Sequence, residues 1–168
     1  MLFRSHGGKF HFAAAREFLN GKYTEMRLAY FTMENDVWSD VEIVNKRHLC
    51  LGNAIAVDSE GKPAMIWVEL VNDSKLWSYW ANREIDGWVE PEFLNKDRYS
   101  QEAIYDQVDA LHMFDCQWGK NVDESGVYHY YFENGTIHEE CIYKKNIPGV
   151  RGLKTALHSN KLNVAFIT

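Results

Sequence analysis

The sequence predicts an all-β chain, a partial β-propeller of about three and a half four-stranded blades. Three observations carry this. A four-strand pattern recurs about every 50 residues down the chain. Of the 168 residues, 46% are apolar and 14% aromatic, a composition that suits pleated, half-buried surfaces and is too hydrophobic for a disordered segment. Tight-turn residues punctuate the pattern at His6-Gly7-Gly8, Ser59-Glu60-Gly61, Asp86-Gly87, Asn134-Gly135 and Ser159-Asn160.

The units follow in order. The first, roughly 1–45, begins with LFRSHGGKFHFAAAREF, a hairpin around Gly7-Gly8, and continues through MRLAYFTMEN and VWSDVEIVN. The second, 53–95, is the clearest: a strand over Ala54–Val57, a turn over Asp58–Gly61, then strands over Ala64–Leu70, Lys75–Trp80 and Trp88–Leu94. The third, 102–144, repeats the order through AIYDQVDALHMFDCQW, VYHYYFEN and TIHEECIYK. A half-unit, 152–168, ends after two strands. Tandem four-stranded units are the signature of propeller blades, and three and a half do not close a ring. The expectation is therefore a segment of a longer propeller, with closure by a homo-oligomer or an open, atypical array as the alternatives.

Within each unit, alternation assigns the faces. Met65, Trp67 and Glu69 share one face of the second strand and Ala64, Ile66, Val68 and Leu70 the other. Both faces are mainly apolar, as a strand packed between neighbouring sheets requires. The third strands LAYF, LWSYW and YHYYF are aromatic-rich, which suits packing between blades. The fourth strands carry Asp40, Glu42, Glu90, Glu92, Glu139 and Glu140, charges that protect an outer edge. Asp58 precedes the hairpin turn and reads as a turn former, with Asp106 and Asp109 near the same place in the third unit.

Bulk properties exclude several functions. The net charge of −6 argues against a general nucleic-acid binder, which needs a basic surface. Cys50, Cys116 and Cys141 are odd in number and form no CxxC pair, so they read as small apolar residues on strands. His112, His129, His138 and His158 lack metal-ligand spacing, and no P-loop or GxGxxG is present, so no metal or cofactor is expected. No apolar run is long enough to span a membrane as a helix, and MLFRSHGGKFHF lacks the core of a signal peptide. Localisation stays open, secreted or periplasmic if the chain is a fragment.

The run AVDSEGKPAMIWVE, with LWSYWAN and DGWVEPEFLN, resembles repeats of the sialidase-like, BNR-repeat β-propellers. The Asp box of that family has no intact match: Arg83–Trp88 keeps only Asp-Gly and Trp. The arginine-bearing segment of true sialidases is absent too, and Phe3-Arg4-Ser5 does not replace it. The resemblance implies the fold more than the activity.

In a propeller, connections from one blade's outer strand to the next blade's inner strand gather at one channel mouth. Here these are Asn45–His48, Asn95–Tyr99 and Lys144–Arg151, all basic in an acidic chain. Lys46, Arg47, Lys96, Arg98, Lys145 and Arg151 are the expected substrate-binding residues, since converging Arg and Lys hold anions. His48 and Tyr99, at equivalent places, are candidate base and acid of a uronate lyase. The functional expectation is a carbohydrate-active propeller that recognises an anionic glycan. Hydrolysis, lyase cleavage and binding without turnover are all compatible with it, and a protein-interaction platform is the remaining alternative.

Overall fold

A computed structural model describes residues 2–20, 23–45, 49–71, 75–117, 126–144, 151–159 and 161–167. Every regular element among them is a β-strand, and all pairings are antiparallel. The first sheet contains β1 (Leu2–His6), β2 (Lys9–Asn20), β3 (Tyr23–Glu34), β4 (Val37–Trp38) and β5 (Glu42–Ile43). The second contains β6 (Leu49–Val57), β7 (Pro63–Val71), β8 (Lys75–Glu84), β9 (Gly87–Trp88) and β10 (Glu92–Lys96). The third runs β11 (Arg98–Tyr105), β12 (Leu111–Gln117), β13 (Gly126–Glu133) and β14 (Thr136–Lys144), and β15 (Arg151–His158) pairs with β16 (Lys161–Ile167). The chain is a partial β-propeller whose sheets do not close into a ring.

Sheet packs on sheet through three apolar seams, each drawing on the alternate faces that sequence alternation assigns. Ala13, Leu28 and Tyr30 of the first sheet meet Ile55, Met65 and Trp67 of the second. The opposite face of the second sheet presents Ala54, Ala56, Ile66 and Trp80 to Ala103, Met113 and Tyr130 of the third. Phe114, Cys116 and Val127 then close on Leu153, with Leu162, Val164 and Phe166 at the margin. Aromatic contacts bridge the seams: Tyr30 with Trp88 at 5.2 Å, Trp80 with Phe132 at 4.8 Å, and Tyr143 with Phe166 at 4.5 Å between centroids. These are edge-on or tilted geometries, the ones the ring quadrupole favours. Cys50 and Cys116 are buried, and burial pushes each thiol up to about 12. Cys141 departs from the expectation and is exposed on β14.

The outer strands depart from it as well. Instead of one fourth strand over 38–45, the first sheet has two short pieces, and the second sheet repeats the break between β9 and β10. In the first, the Thr32 amide donates to the Ser39 hydroxyl, which donates on to the Asp40 carbonyl. A side-chain oxygen thus replaces a ladder carbonyl. In the second, the interruption falls at Pro91, which has no N–H to donate. The third sheet has neither device, and β14 runs unbroken.

Candidate functional site

The innermost strands β1, β6, β11 and β15 lie side by side, β6 packing against β1 and β11, and β11 against β15. Three of them carry a register shift near their start: between Cys50 and Gly52, between Tyr99 and Glu102, and between Arg151 and Lys154. Bulges re-aim side chains and recur beside binding sites. Here they set the orientation of Gln101, Glu102 and Lys154.

Glu102 is the centre of the arrangement. Its side chain is 4% exposed, yet two cations from other sheets reach it. Arg4 Nη2, from β1, stands 3.6 Å from Oε2, and Lys154 Nζ, from β15, donates to Oε1. A buried carboxylate is tolerated only with such partners. Arg4 and Lys154 are 38% and 71% exposed, so both cations also face solvent. Three groups on three different sheets therefore meet, with one net positive charge.

Beside them, Gln101 is 6% exposed and packs on Gly52: a Cβ at position 52 would stand 2.8 Å from Gln101 Oε1. Gln101 Nε2 and Asn53 Oδ1, both on innermost strands, are buried without a hydrogen-bond partner. Unpaired buried polar atoms are costly and uncommon. They leave this region with donor and acceptor capacity that the protein itself does not use.

The residues expected from sequence are distributed differently. Lys46, Arg47, His48 and Lys145 lie outside the described residues, and Arg151 opens β15. The expected loop over 95–99 is corrected: β10 runs through Lys96 and β11 starts at Arg98, leaving Asp97 alone, at φ 56°, as the connection. Lys96 is exposed, its Nζ 5.6 Å from the Trp77 ring centroid. Tyr99 is 38% exposed at the entrance of β11, and its hydroxyl is shifted upward by burial and then by Asp97.

Arg98 is buried within the third sheet. It is 3% exposed and lies 3.6 Å over the Tyr128 ring. It donates to Gln117 Oε1 at 2.9 Å and Glu139 Oε2 at 3.1 Å, and its Nε is 3.7 Å from Asp115 Oδ1. Its guanidinium is occupied inside the third sheet. Burial opposes its charge, but Asp115, Tyr130 and Glu139 raise its pKa on balance. Glu102 and Lys154 do not stand out in the sequence, and Arg4 appears there only in a segment that does not replace the sialidase arginine. The available signal is that a Glu and a Lys sit mid-strand in strands whose other Arg, Lys, Asp or Glu is only their first residue.

No protein-family model matches this chain, and no curated protein matches it either. Solved structures do. A xylan β-1,4-xylosidase from Bacillus halodurans is 13% identical, with a TM-score of 0.64 over 94% of this chain and 34% of its own. A Hadza microbial sialidase is 10% identical, with a TM-score of 0.66 over 95% of this chain and 39% of its own. A fucose lectin from Kordia zhangzhouensis, in complex with methyl-fucoside, is 14% identical, with a TM-score of 0.52 over 85% of this chain and 98% of its own. The fold is shared. This chain spans about a third to two fifths of the xylosidase and the sialidase.

Proposed function

We propose that this chain recognises an acidic glycan at the mouth built by its innermost strands. The observation that carries the proposal is the meeting of Arg4, Glu102 and Lys154 from three sheets. Structures of the same fold belong to a xylosidase, a sialidase and a fucose lectin, which supports a sugar as the ligand. Lys154 and Arg4 match a sugar carboxylate or sulfate, and Arg does so with a bidentate fork. Glu102 accepts hydrogen bonds from ring hydroxyls.

Binding without turnover is the reading favoured for this chain alone. A glycosidase needs two carboxyl groups about 5–9 Å apart across the scissile bond. The innermost strands β1, β6, β11 and β15 contain Glu102 as their one carboxylate. Cleavage by lyase chemistry, with His48 and Tyr99 as base and acid, is the second reading, and the exposure of Tyr99 favours it. Completion of the ring, by further blades or by another copy of the chain, belongs to the same proposal.

Calorimetric titration tests it, with uronate-containing and sialylated oligosaccharides set against xylo-oligosaccharides and a methyl-fucoside. Acidic ligands should bind more tightly, and Lys154→Ala or Arg4→Ala should remove that preference while circular dichroism stays unchanged. Equal affinity for neutral and acidic sugars would refute the acidic assignment, and silence with every sugar would refute recognition itself. Release of new sugar ends by the wild type, lost in Tyr99→Phe, would replace binding with cleavage.

A further inference from the structure

A chain of four titratable side chains crosses the third sheet away from the mouth. His112 Nε2 is 3.4 Å from Asp106 Oδ2, His112 Nδ1 is 2.8 Å from His129 Nε2, and His129 Nδ1 is 2.8 Å from Glu140 Oε1. Strand register makes this possible. His129 on β13 stands opposite Glu140 on β14, and His112 on β12 is its diagonal neighbour, opposite Tyr131. The two imidazoles are stacked at 5.0 Å, and Phe114 lies parallel to His129 at 4.7 Å.

The ring protons can be counted. An ionised carboxylate only accepts hydrogen bonds, so Asp106 and Glu140 each call for an N–H on the ring nitrogen that faces them. A neutral imidazole has one N–H. With both rings neutral, the two nitrogens that face each other would be bare lone pairs at hydrogen-bonding distance. A third proton removes that conflict. Among the described residues no three His, Cys, Asp or Glu side chains converge on a metal position, so a proton is what the gap between the rings accommodates.

We propose that His112 and His129 share this third proton, and that the resulting single positive charge, held between Asp106 and Glu140, latches β14 to the rest of its sheet within a bounded pH range. Asp106 is suited to its part: burial works against its charge, but the Ala110 and Val108 amides and His112 outweigh it and hold the carboxyl below its ordinary value. Burial lowers the His129 pKa, Glu140 works in the other direction, and the neighbouring His112 lowers it further, so charging both rings at once is resisted. The other groups around the pair are Tyr131 on β13 and His138 on β14, whose rings stack at 5.5 Å, and Glu133, 3.8 Å from His138 Nε2. Phe114, stacked on His129, also packs in the cluster that holds Leu153, Leu162, Val164 and Phe166 of the half-sheet.

The latch weakens on both sides of its range. Loss of the shared proton at high pH forces the pair to give up a carboxylate, and gain of another at low pH sets N–H against N–H. Because Glu139, next in β14, takes hydrogen bonds from Arg98 and from Asn95 of the second sheet, a shift of β14 also loosens the seam between sheets.

Nitrogen NMR of the imidazoles across a pH titration of the whole chain tests this. The pair should give up its protons in two separated steps, because coupled groups titrate as a pair. Independent, superimposed titration of the two rings would overturn the proposal. Glu140→Gln, a change at a half-exposed position, should merge the two steps. Hydrogen exchange of the β13–β14 amides supplies the second readout: protection should fall on both sides of the window in the wild type, and protection that is flat with pH would remove the latch.

Discussion

Asp58 and Asp106 hold the same corner in successive sheets. Each places one carboxylate oxygen on two backbone amides: Asp58 Oδ1 on Glu60 at 2.9 Å and Lys62 at 2.7 Å, Asp106 Oδ1 on Val108 at 2.9 Å and Ala110 at 2.8 Å. Their own amides donate to the carbonyls of Lys62 and Ala110. The third residue after each, Gly61 and Asp109, has φ of 83° and 59°. Asp109 also accepts the Ser59 amide at 2.9 Å, tying one turn to the other.

Asp58→Ala should therefore lower stability by about 1–2 kcal/mol, the net worth of two hydrogen bonds. Urea denaturation reads it as a lower midpoint with an unchanged slope. A variant as stable as the wild type would show that the turn does not depend on its carboxylate.

Asp115 should make stability fall as pH rises. It is fully buried, and burial pushes its carboxyl up to about 7, against the pull of Arg98, of the Tyr130 hydroxyl at 3.0 Å and of Ser78. A carboxyl raised on folding contributes stability that is complete below its unfolded value of about 3.9 and is lost as pH climbs through its folded value. Asp115→Asn should flatten the dependence between these limits. Arg98→Ala should be more damaging, by about 3–5 kcal/mol, because it strands a buried acid without its partner. Denaturation midpoints across pH compare the variants, and parallel curves for Asp115→Asn and wild type would refute the assignment.

His11 acts in the opposite sense. Its Nδ1 lies 2.8 Å from the Tyr30 hydroxyl, and burial, then Lys9 and His6, lower its pKa to about 4. The unfolded chain takes up this proton below about 6.5 and the folded chain resists, so the contribution is present above that value and fades toward the folded one. His11→Gln should reduce the loss of stability on mild acidification. An unchanged acid limb would mean that His11 is not the group responsible.

Gly126 should not tolerate a methyl group. A Cβ there would stand 2.7 Å from the Tyr143 carbonyl, 3.2 Å from the Tyr128 ring and 3.3 Å from Cys141 Sγ. The first contact is backbone of the paired strand, beside the register shift at Val127 and Tyr128, so it cannot swing aside. Gly126→Ala should cost about 1–3 kcal/mol, as overpacking does, read as a lower melting temperature. Gly52→Ala is the control, since it meets only the flexible end of Gln101.

Much of the architecture was legible because its causes are local. Alternation along Ala64–Leu70 placed Met65 and Trp67 in one seam and Ala64 and Ile66 in the next, and the turn chemistry of Asp58 through Gly61 needed nothing beyond its own segment. The candidate site was less legible. In the sequence Asn95–Tyr99 has the polar character of a loop and makes Lys96 and Arg98 loop cations, whereas in the structure Asp97 alone forms the connection. The breaks at Ser39 and Pro91 show the same limit, since a proline is visible in a sequence but a serine hydroxyl standing in for a carbonyl is not.

By itself, then, the sequence determined the strand class, the repeat, the turn corners and the faces that pack, all properties of period two and of residues a few positions apart. The tertiary structure decided which charges meet. Arg4, Glu102 and Lys154 are far apart in the chain and converge only because three sheets pack with their first strands together. Bulges in β11 and β15 then turn two of those side chains, and a bulge depends on how two strands settle against their neighbours. The same packing buries Arg98 with Asp115. Arginine and carboxylate are thus buried together in one place, while in the other a buried carboxylate meets two cations that also face solvent.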